Sequence, residues 1–175
     1  MDSPVSTYLI DTNSLITPYK RYYPFDLAPP FWKSMEIKIM DGSIVLLDKV
    51  YDEVTAGDDE LTEWLSGIKG IDIISHKDTD IVKKYGEILS YVQTCGLYKP
   101  KALTEWSDAK VADAWIVACA SVQTHTVVTF EAPNGNLTKS SPCSRAKIPE
   151  ICDVFSVEYT NLFEMMRQLS FNVMH

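Results

Sequence analysis

The sequence lacks long apolar runs, closely spaced cysteines and clustered histidines, and each absence excludes a class of protein. No apolar run approaches the ~20 residues of a membrane-spanning helix, and the start of the chain has neither the basic nor the apolar region of a secretory signal. The four cysteines show no Cys-x-x-Cys spacing, which disfavours a zinc site or a disulfide framework. The three histidines are not spaced as metal ligands, and we expect none of them to bind a metal: His76, His125 and His175. We therefore expect a cytoplasmic protein with reduced thiols and no membrane partner.

Positive charge is also scarce. The net charge is −8, so the molecule as a whole does not attract nucleic acid by charge. It could still carry a metal-dependent site, because bound cations neutralise clustered carboxylates. Contacts to phosphate would then come from local basic patches. The candidates are Lys20-Arg21, Lys83-Lys84, Lys99 with Lys101, and Lys139, Arg145 and Lys147. With 175 residues, 46% of them apolar, the chain is long enough for a single domain, 1–175, with a substantial core.

The chain is organised around its first apolar run, Tyr8-Leu9-Ile10, which ends abruptly in Asp11-Thr12-Asn13-Ser14. A short apolar run of this kind predicts a buried strand, and ligands of open α/β sheets bind at the carboxyl ends of the strands. Asp11 is thus expected at the edge of the sheet where ligands bind, with Asn13 just beyond it. Ordinary turn or helix-cap chemistry is the alternative interpretation of the same residues.

The second buried strand, 43–47, is also followed by an acid, Asp48, which we expect to cap a helix over 49–56. In that helix the spacing places Glu53 with the buried stripe of Val50 and Val54. A buried carboxylate is costly unless it is paired, hydrogen-bonded or bound to metal. Two interpretations stay open at this point: a site acid, or a helix-edge Glu that reaches water.

Two further acids also lie after a predicted strand or near the start of a predicted helix. Asp113 begins the apolar stripe of a predicted helix over 107–123, where Ser107 or Asp108 is expected to be the cap. The strand 126–129 is followed by Phe130 and Glu131, and Thr129 adds a hydroxyl at the same edge.

The other predicted elements alternate in the same way. Helices are expected over 14–20, 31–40, 61–68, 78–94 and 161–169, with strands over 71–74 and within 148–157, a loop at 99–101 and a long surface loop over 132–144. Alternating strands and helices predict an α/β fold, with a central parallel sheet between two helical layers. The acids at its edge would repel one another without cations. Because no His or Cys accompanies them, one or two hard ions, Mg²⁺ or Mn²⁺, suit them best.

Taken together, these motifs resemble the PIN domain. The resemblance rests on an N-terminal strand ending in Asp-x-Asn, a Glu in the helix after the second strand, Asp113-Ala114-Trp115-Ile116-Val117-Ala118-Cys119-Ala120, and Val127-Val128-Thr129-Phe130-Glu131. It is most similar to VapC-type toxins, particularly to a stand-alone branch with a long aromatic insert after the first strand. Glu131 departs from the pattern, because the family usually has Asp there.

The resemblance implies a three-layer α/β/α fold and a metal-dependent endoribonuclease, often a toxin neutralised by an antitoxin. It implies that Asp11, Glu53, Asp113 and Glu131 are the catalytic and metal-binding acids, with Asn13 and Thr129 in support. An RNA substrate, an antitoxin and a homodimer are the implied partners. Three alternatives stay open: a structure-specific DNA nuclease, an inactive interaction module, and phosphotransfer on Asp11, which lacks the Asp-x-Asp pair and partner Lys it would need.

Overall fold

The structure, a computed structural model, describes residues 6–173. Its strands form one parallel sheet in which the strand nearest the N-terminus lies in the middle. The strands of the described range are β1 Tyr8–Ile10, β2 Ile44–Leu47, β3 Ile73–Ile74, β4 Thr126–Val128 and β5 Tyr159–Thr160. Their order is β3-β2-β1-β4-β5, and all neighbours are parallel. The carboxyl ends of all of these strands therefore share one edge.

Helices cover both faces of this sheet. They are α1 Asn13–Thr17, α2 Pro29–Met40, α3 Asp48–Thr55, α4 Glu60–Gly67, α5 Thr79–Thr94, α6 Pro100–Trp106, α7 Asp113–Gln123, α8 Ile148–Val154 and α9 Leu162–Gln168, and a π-helix, Pro18–Tyr22, continues α1. The strand order proceeds one way from β1 to β3 and the other way from β4 to β5. Right-handed crossovers therefore place the connecting helices on opposite faces. The predicted three-layer α/β/α fold is confirmed.

The core follows from the residues of the central elements. Every residue of β1 is buried, as expected for a strand covered on both faces. Helix α7 packs on α5 and α8 and contacts β4. Its buried side chains include Ala114, Ala118 and Ala120, whose small size permits close approach to the sheet. The beginning of α7, where Asp113 lies, is thereby held near the strand ends.

One predicted strand is a helix. The segment 148–157 was expected to contain a strand, but residues Ile148–Val154 form α8, and the last strand lies beyond it at Tyr159–Thr160. Pro149 lies in the first turn of α8, where a missing backbone N–H costs no hydrogen bond. An apolar run of this length does not distinguish a short buried helix from a strand.

Two further boundaries differ around the connection to α7. The residues 99–101, expected to form a loop, contain the start of α6, which begins at Pro100. The helix predicted over 107–123 begins only at Asp113. Ser107 ends α6, and Asp108 accepts a hydrogen bond from the Lys110 N–H (2.9 Å) in the intervening turn and does not cap α7. Asp113 is therefore the first residue of its helix.

Asp48 connects two strand ends, which is a different role from the predicted cap. It is the first residue of α3, and its carboxylate accepts a hydrogen bond from the His76 N–H (3.1 Å). Asp48 Oδ2 also lies 2.7 Å from His76 Nδ1. This pair joins the carboxyl ends of β2 and β3.

The predicted surface loop before α8 is irregular, as expected, but it is anchored at two points. The buried carboxylate of Glu150 accepts hydrogen bonds from the Tyr98 hydroxyl (2.9 Å) and from the Asn134 N–H. The Cys143 N–H donates to the Leu97 carbonyl (2.9 Å). These contacts fix the loop that carries Glu131 at one end and Lys147 at the other.

Other expectations concern the whole chain. All four cysteines have free thiols, and none of the helices within residues 6–173 is long and apolar enough to cross a membrane. The first residues, expected to lack a secretory signal, and His175 lie outside the described residues.

Candidate active site

Asp11 occupies the middle of the carboxyl edge of the sheet. Its N–H donates to the Val128 carbonyl (3.0 Å), which extends the pairing of β1 with β4, and its side chain is buried, with 2% of the residue exposed. The Thr129 hydroxyl donates a hydrogen bond to Asp11 Oδ2 (3.1 Å). The central strand thus delivers a carboxylate with a fixed orientation.

Asp113 brings a second carboxylate to the same place from the start of α7. Burial, followed by the negative charge of Asp113, raises the pKa of Asp11 from 3.8 to about 7. Burial and the charges of Glu131 and Glu53 raise the pKa of Asp113 to about 7 as well. These mutual effects show that the four predicted acids share one electrostatic environment. A cation among them would relieve the repulsion.

Glu53 does not lie with the buried stripe as its spacing predicted. Val50 and Val54 are buried, whereas Glu53 is exposed. Its Oε2 accepts a short hydrogen bond from the Thr12 hydroxyl (2.6 Å). Glu53 is thus a carboxylate at the rim of the site, attached to the residue that follows Asp11.

Glu131 is half-buried, and both oxygens of its carboxylate have partners within the protein. Its Oε1 lies 2.7 Å from the Lys147 Nζ, and its Oε2 accepts the Ile148 N–H at the start of α8 (2.8 Å). The Glu131 N–H donates to the Thr129 hydroxyl oxygen (3.1 Å), and that hydroxyl in turn donates to Asp11. Thr129 therefore links two of the acids.

The supporting residues differ in part from those expected. Asn13, expected to orient Asp11, is exposed at the start of α1, and the hydrogen bond that orients Asp11 comes from Thr129. Thr12 and Lys147 were not predicted as site residues. The hydroxyl of Thr12 directly after Asp11, and the membership of Lys147 in a basic patch, were the available signals.

Two clefts adjoin the acids, and each contains charges of both signs. The first, of about 230 Å³, is lined by Asp113, Glu131, Arg145 and Lys147, among others; we call it the Glu131 cleft. The second, of about 390 Å³, is lined by Lys49, Glu53 and Lys110, among others; we call it the Glu53 cleft. Cations on both sides of a carboxylate cluster suit an extended polyanion.

The donor set fits a hard divalent ion in its chemistry. Asp11 and Asp113 are carboxylates whose pKa values are raised by burial and then by the negative charges of their neighbours. Within residues 6–173, however, no three His, Cys, Asp or Glu side chains are arranged to hold a metal ion as they stand. Two of the four acids have partners within the protein, because Glu53 is hydrogen-bonded to Thr12 and Glu131 to Lys147.

Comparisons with known proteins support the fold and leave the activity open. A family model described as "Domain of unknown function (DUF4411)" matches residues 8–173. No curated protein is significantly similar to the chain in sequence.

Among solved structures, the chain is similar to one chain of the crystal structure of VapBC2 from Rickettsia felis bound to a DNA fragment from their promoter. The two chains are 14% identical with a TM-score of 0.53, and the similarity covers 89% of this chain and 98% of the other. At this identity the likeness concerns the fold alone.

Proposed function

This chain belongs to the DUF4411 family, and from the acids at the edge of its sheet we propose that it is a metal-dependent endoribonuclease. The observation that carries the proposal is the meeting of Asp11 and Asp113. The buried carboxylate of Asp11 and the half-buried carboxylate of Asp113 come from different elements, and burial followed by the charge of Asp113 raises the pKa of Asp11. Folding them together is costly in the absence of a cation, and clusters of this kind are typical of functional sites.

In the proposed mechanism, Asp11 and Asp113 would hold one Mg²⁺ or Mn²⁺ ion. The ion would supply an activated water and would stabilise charge on the phosphate. Thr129 fixes the orientation of Asp11 through its hydroxyl. Glu53, held by Thr12, would assist in holding the ion or in orienting a water molecule at the rim of the site.

Glu131 has a less direct role in this proposal. Its carboxylate is already paired with Lys147, so it acts on Asp11 through its charge or takes part in a second, weaker metal site, while its backbone N–H holds the Thr129 hydroxyl. The same pairing places the Lys147 ammonium beside the acids. Lys147 and Arg145 in the Glu131 cleft, and Lys49 and Lys110 in the Glu53 cleft, are the proposed phosphate contacts.

We further propose that the chain is the toxin of a toxin–antitoxin pair in the cytoplasm. The support is the PIN-type fold and its likeness to a chain of the VapBC2 structure. A homodimer is proposed on the outer face of α2, where Ile37 and Met40 are 47% and 59% exposed. Light scattering of the wild type and of Met40→Asp tests it, and a wild-type monomer would contradict it.

Cleavage assays with matched substrates test the proposed activity. Purified protein is incubated with single-stranded RNA, single-stranded DNA and flapped DNA in Mn²⁺ or Mg²⁺, with EDTA as control. We expect RNA to be cleaved, and cleavage to be lost in EDTA and in Asp11→Asn and Asp113→Asn. Asp58→Asn changes an exposed acid between α3 and α4 and should remain active. Circular dichroism verifies that each variant is folded.

The other outcomes identify the competing functions. Preference for flapped DNA would indicate a DNA nuclease. Failure to cleave any substrate, together with failure to bind Mn²⁺, would indicate an interaction module, for which the Lys147–Glu131 ion pair already supplies a counter-charge.

A further inference from the structure

One aromatic side chain of the insert after β1 is directed away from the core. Tyr23 and Phe25 stack on Phe31 and Trp32 of α2, each with ring centroids 4.2 Å apart. Tyr22, the last residue of the π-helix, remains 50% exposed. The burial of its neighbours explains how the insert packs, but it does not account for Tyr22.

Tyr22 belongs to a small aromatic cluster at the carboxyl edge of the sheet. Its ring is stacked on Phe130, with centroids 6.1 Å apart, and meets the edge of Phe163 at 5.6 Å. Phe130 and Phe163 are themselves in contact and partly exposed. Phe163 lies in the first turn of α9, just beyond β5. We call these three residues the Tyr22 cluster.

The Tyr22 cluster adjoins the proposed active site through the chain itself. Phe130 is the residue between Thr129, which binds Asp11, and Glu131, which is paired with Lys147. Phe130 is thus fixed between two residues that are held at the acids, so the Tyr22 cluster lies next to the place where a scissile phosphate would bind.

The charges around the cluster suit a polyanion. Lys20 and Arg21 precede Tyr22 in the same π-helix, and both are exposed. The nearest acid in the chain beside Phe163, Glu164, is paired with Arg167 (3.2 Å). In a protein of net charge −8, Lys20 and Arg21 beside Tyr22 supply the positive charge that a nucleic-acid backbone needs next to an aromatic ring.

We propose that the Tyr22 cluster is a base-stacking subsite for a nucleotide of single-stranded RNA next to the scissile phosphate. The inference rests on RNA as the substrate of the proposed function. Aromatic rings that stack on bases, combined with cations that follow the backbone, are the usual means of binding single strands without sequence preference. The subsite would select unpaired nucleotides, because a base within a duplex cannot stack on Tyr22.

Binding measured without cleavage tests this subsite. A short RNA that contains 2-aminopurine is titrated in EDTA with wild type, Tyr22→Ala and Tyr22→Phe, and the fluorescence reports both affinity and stacking. Tyr22→Ala should weaken binding on the order of tenfold, the usual effect of removing one stacked ring. Tyr22→Phe keeps the ring and should stay within about twofold of the wild type on the same grounds. Leu27→Ala, a 74% exposed position of the same insert, should have no effect.

A second substrate makes the result specific to the base. An abasic nucleotide at the stacking position should weaken RNA binding by the wild type about as much as Tyr22→Ala weakens binding of the intact RNA. Tyr22→Ala itself should bind the two RNAs with the same affinity. Equal loss in both proteins would overturn the proposal, as would unchanged RNA binding by Tyr22→Ala. If RNA binding is unchanged and binding of a co-encoded antitoxin is lost instead, the cluster is a protein-docking surface and the proposal is overturned.

The two proposals can fail separately. Absence of metal-dependent cleavage, with Tyr22-dependent stacking intact, would contradict the hydrolytic mechanism and leave the base subsite standing. Cleavage of RNA with stacking that does not depend on Tyr22 would contradict only the subsite. No binding of RNA by the wild type would overturn both.

Discussion

Removal of a proposed catalytic acid should stabilise the metal-free protein. Asp11 is buried and accepts one side-chain hydrogen bond, from Thr129. Asp113 and Glu131 oppose its ionisation. The substitution Asp11→Asn keeps the shape and an acceptor for Thr129 but removes the charge. In the absence of metal, the variant should therefore unfold less readily than the wild type at neutral or alkaline pH.

The direction and the size of this change in stability follow from the pKa of Asp11. Because the pKa of Asp11 rises from 3.8 to about 7 on folding, the folded state binds the proton more tightly. The stability of the wild type then falls as pH rises from about 4 to about 7 and levels off above that. At about 1.4 kcal/mol per pKa unit, the full effect is about 4 kcal/mol. We expect Asp11→Asn to gain about 2–4 kcal/mol above pH 7, and a Tm higher by on the order of 5–15 °C.

Thermal and urea unfolding in EDTA, followed by circular dichroism at about pH 8 and about pH 4.5, measures this effect. The gain should be large at the higher pH and small at the lower one. Asp58→Asn, at an exposed position, should show little change at either pH. If Asp11→Asn is as stable as the wild type or less stable at about pH 8, the proposed convergence of buried charges is wrong.

Three further predictions concern the same edge of the sheet. Affinity for Mn²⁺, measured by calorimetry, should fall by about tenfold or more per pH unit below about pH 7, because protons compete for Asp11 and Asp113; affinity that is independent of pH between about 5 and 8 would contradict this. Lys147→Met should lower the stability of the metal-free protein above pH 7 by about 1–2 kcal/mol, because Lys147 opposes the rise in the pKa of Asp113. Lys139→Met in the same loop is the control, and an equal loss there would refute that role. Glu150→Gln should cost about 1–3 kcal/mol and accelerate amide exchange in the loop before α8, and exchange that stays slow would show that Glu150 does not anchor it.

Much of the fold could be predicted because its strands are short apolar runs that each end in a polar residue. Tyr8–Ile10 and Thr126–Val128 were located within one residue of their observed bounds. The parallel arrangement followed from the alternation of strands and helices. Segment 148–157 was misassigned because an apolar run with an early proline is compatible with either element when it is short. The helix α6 was missed because lysines around a proline resemble a connection.

The candidate site was predictable only as a set of acids at one edge. The position of each acid after a strand or at the start of a helix is local information, and all four share one environment in the structure. The hydrogen-bond partners of these acids, in contrast, lie far from them in the sequence. Thr12 and Glu53 are separated by 41 residues and Thr129 and Asp11 by 118, so these contacts depend on the register of the sheet. Helical spacing left both a buried and an exposed Glu53 open, and the structure has the exposed one, in contact with Thr12.

The position of β1 in the middle of the sheet would set when the proposed activity can appear during synthesis of the chain. Asp11 is made early, but its neighbouring strand β4 and the remaining acids Asp113 and Glu131 come late, up to residue 131 of 175. Before β4 emerges from the ribosome, the nascent chain has β2 to pair with β1, but it lacks Glu131 and the Val128 carbonyl and Thr129 hydroxyl that hold Asp11. An RNA-cleaving activity built in this order would be withheld from the ribosome and message that produce it until most of the chain has left.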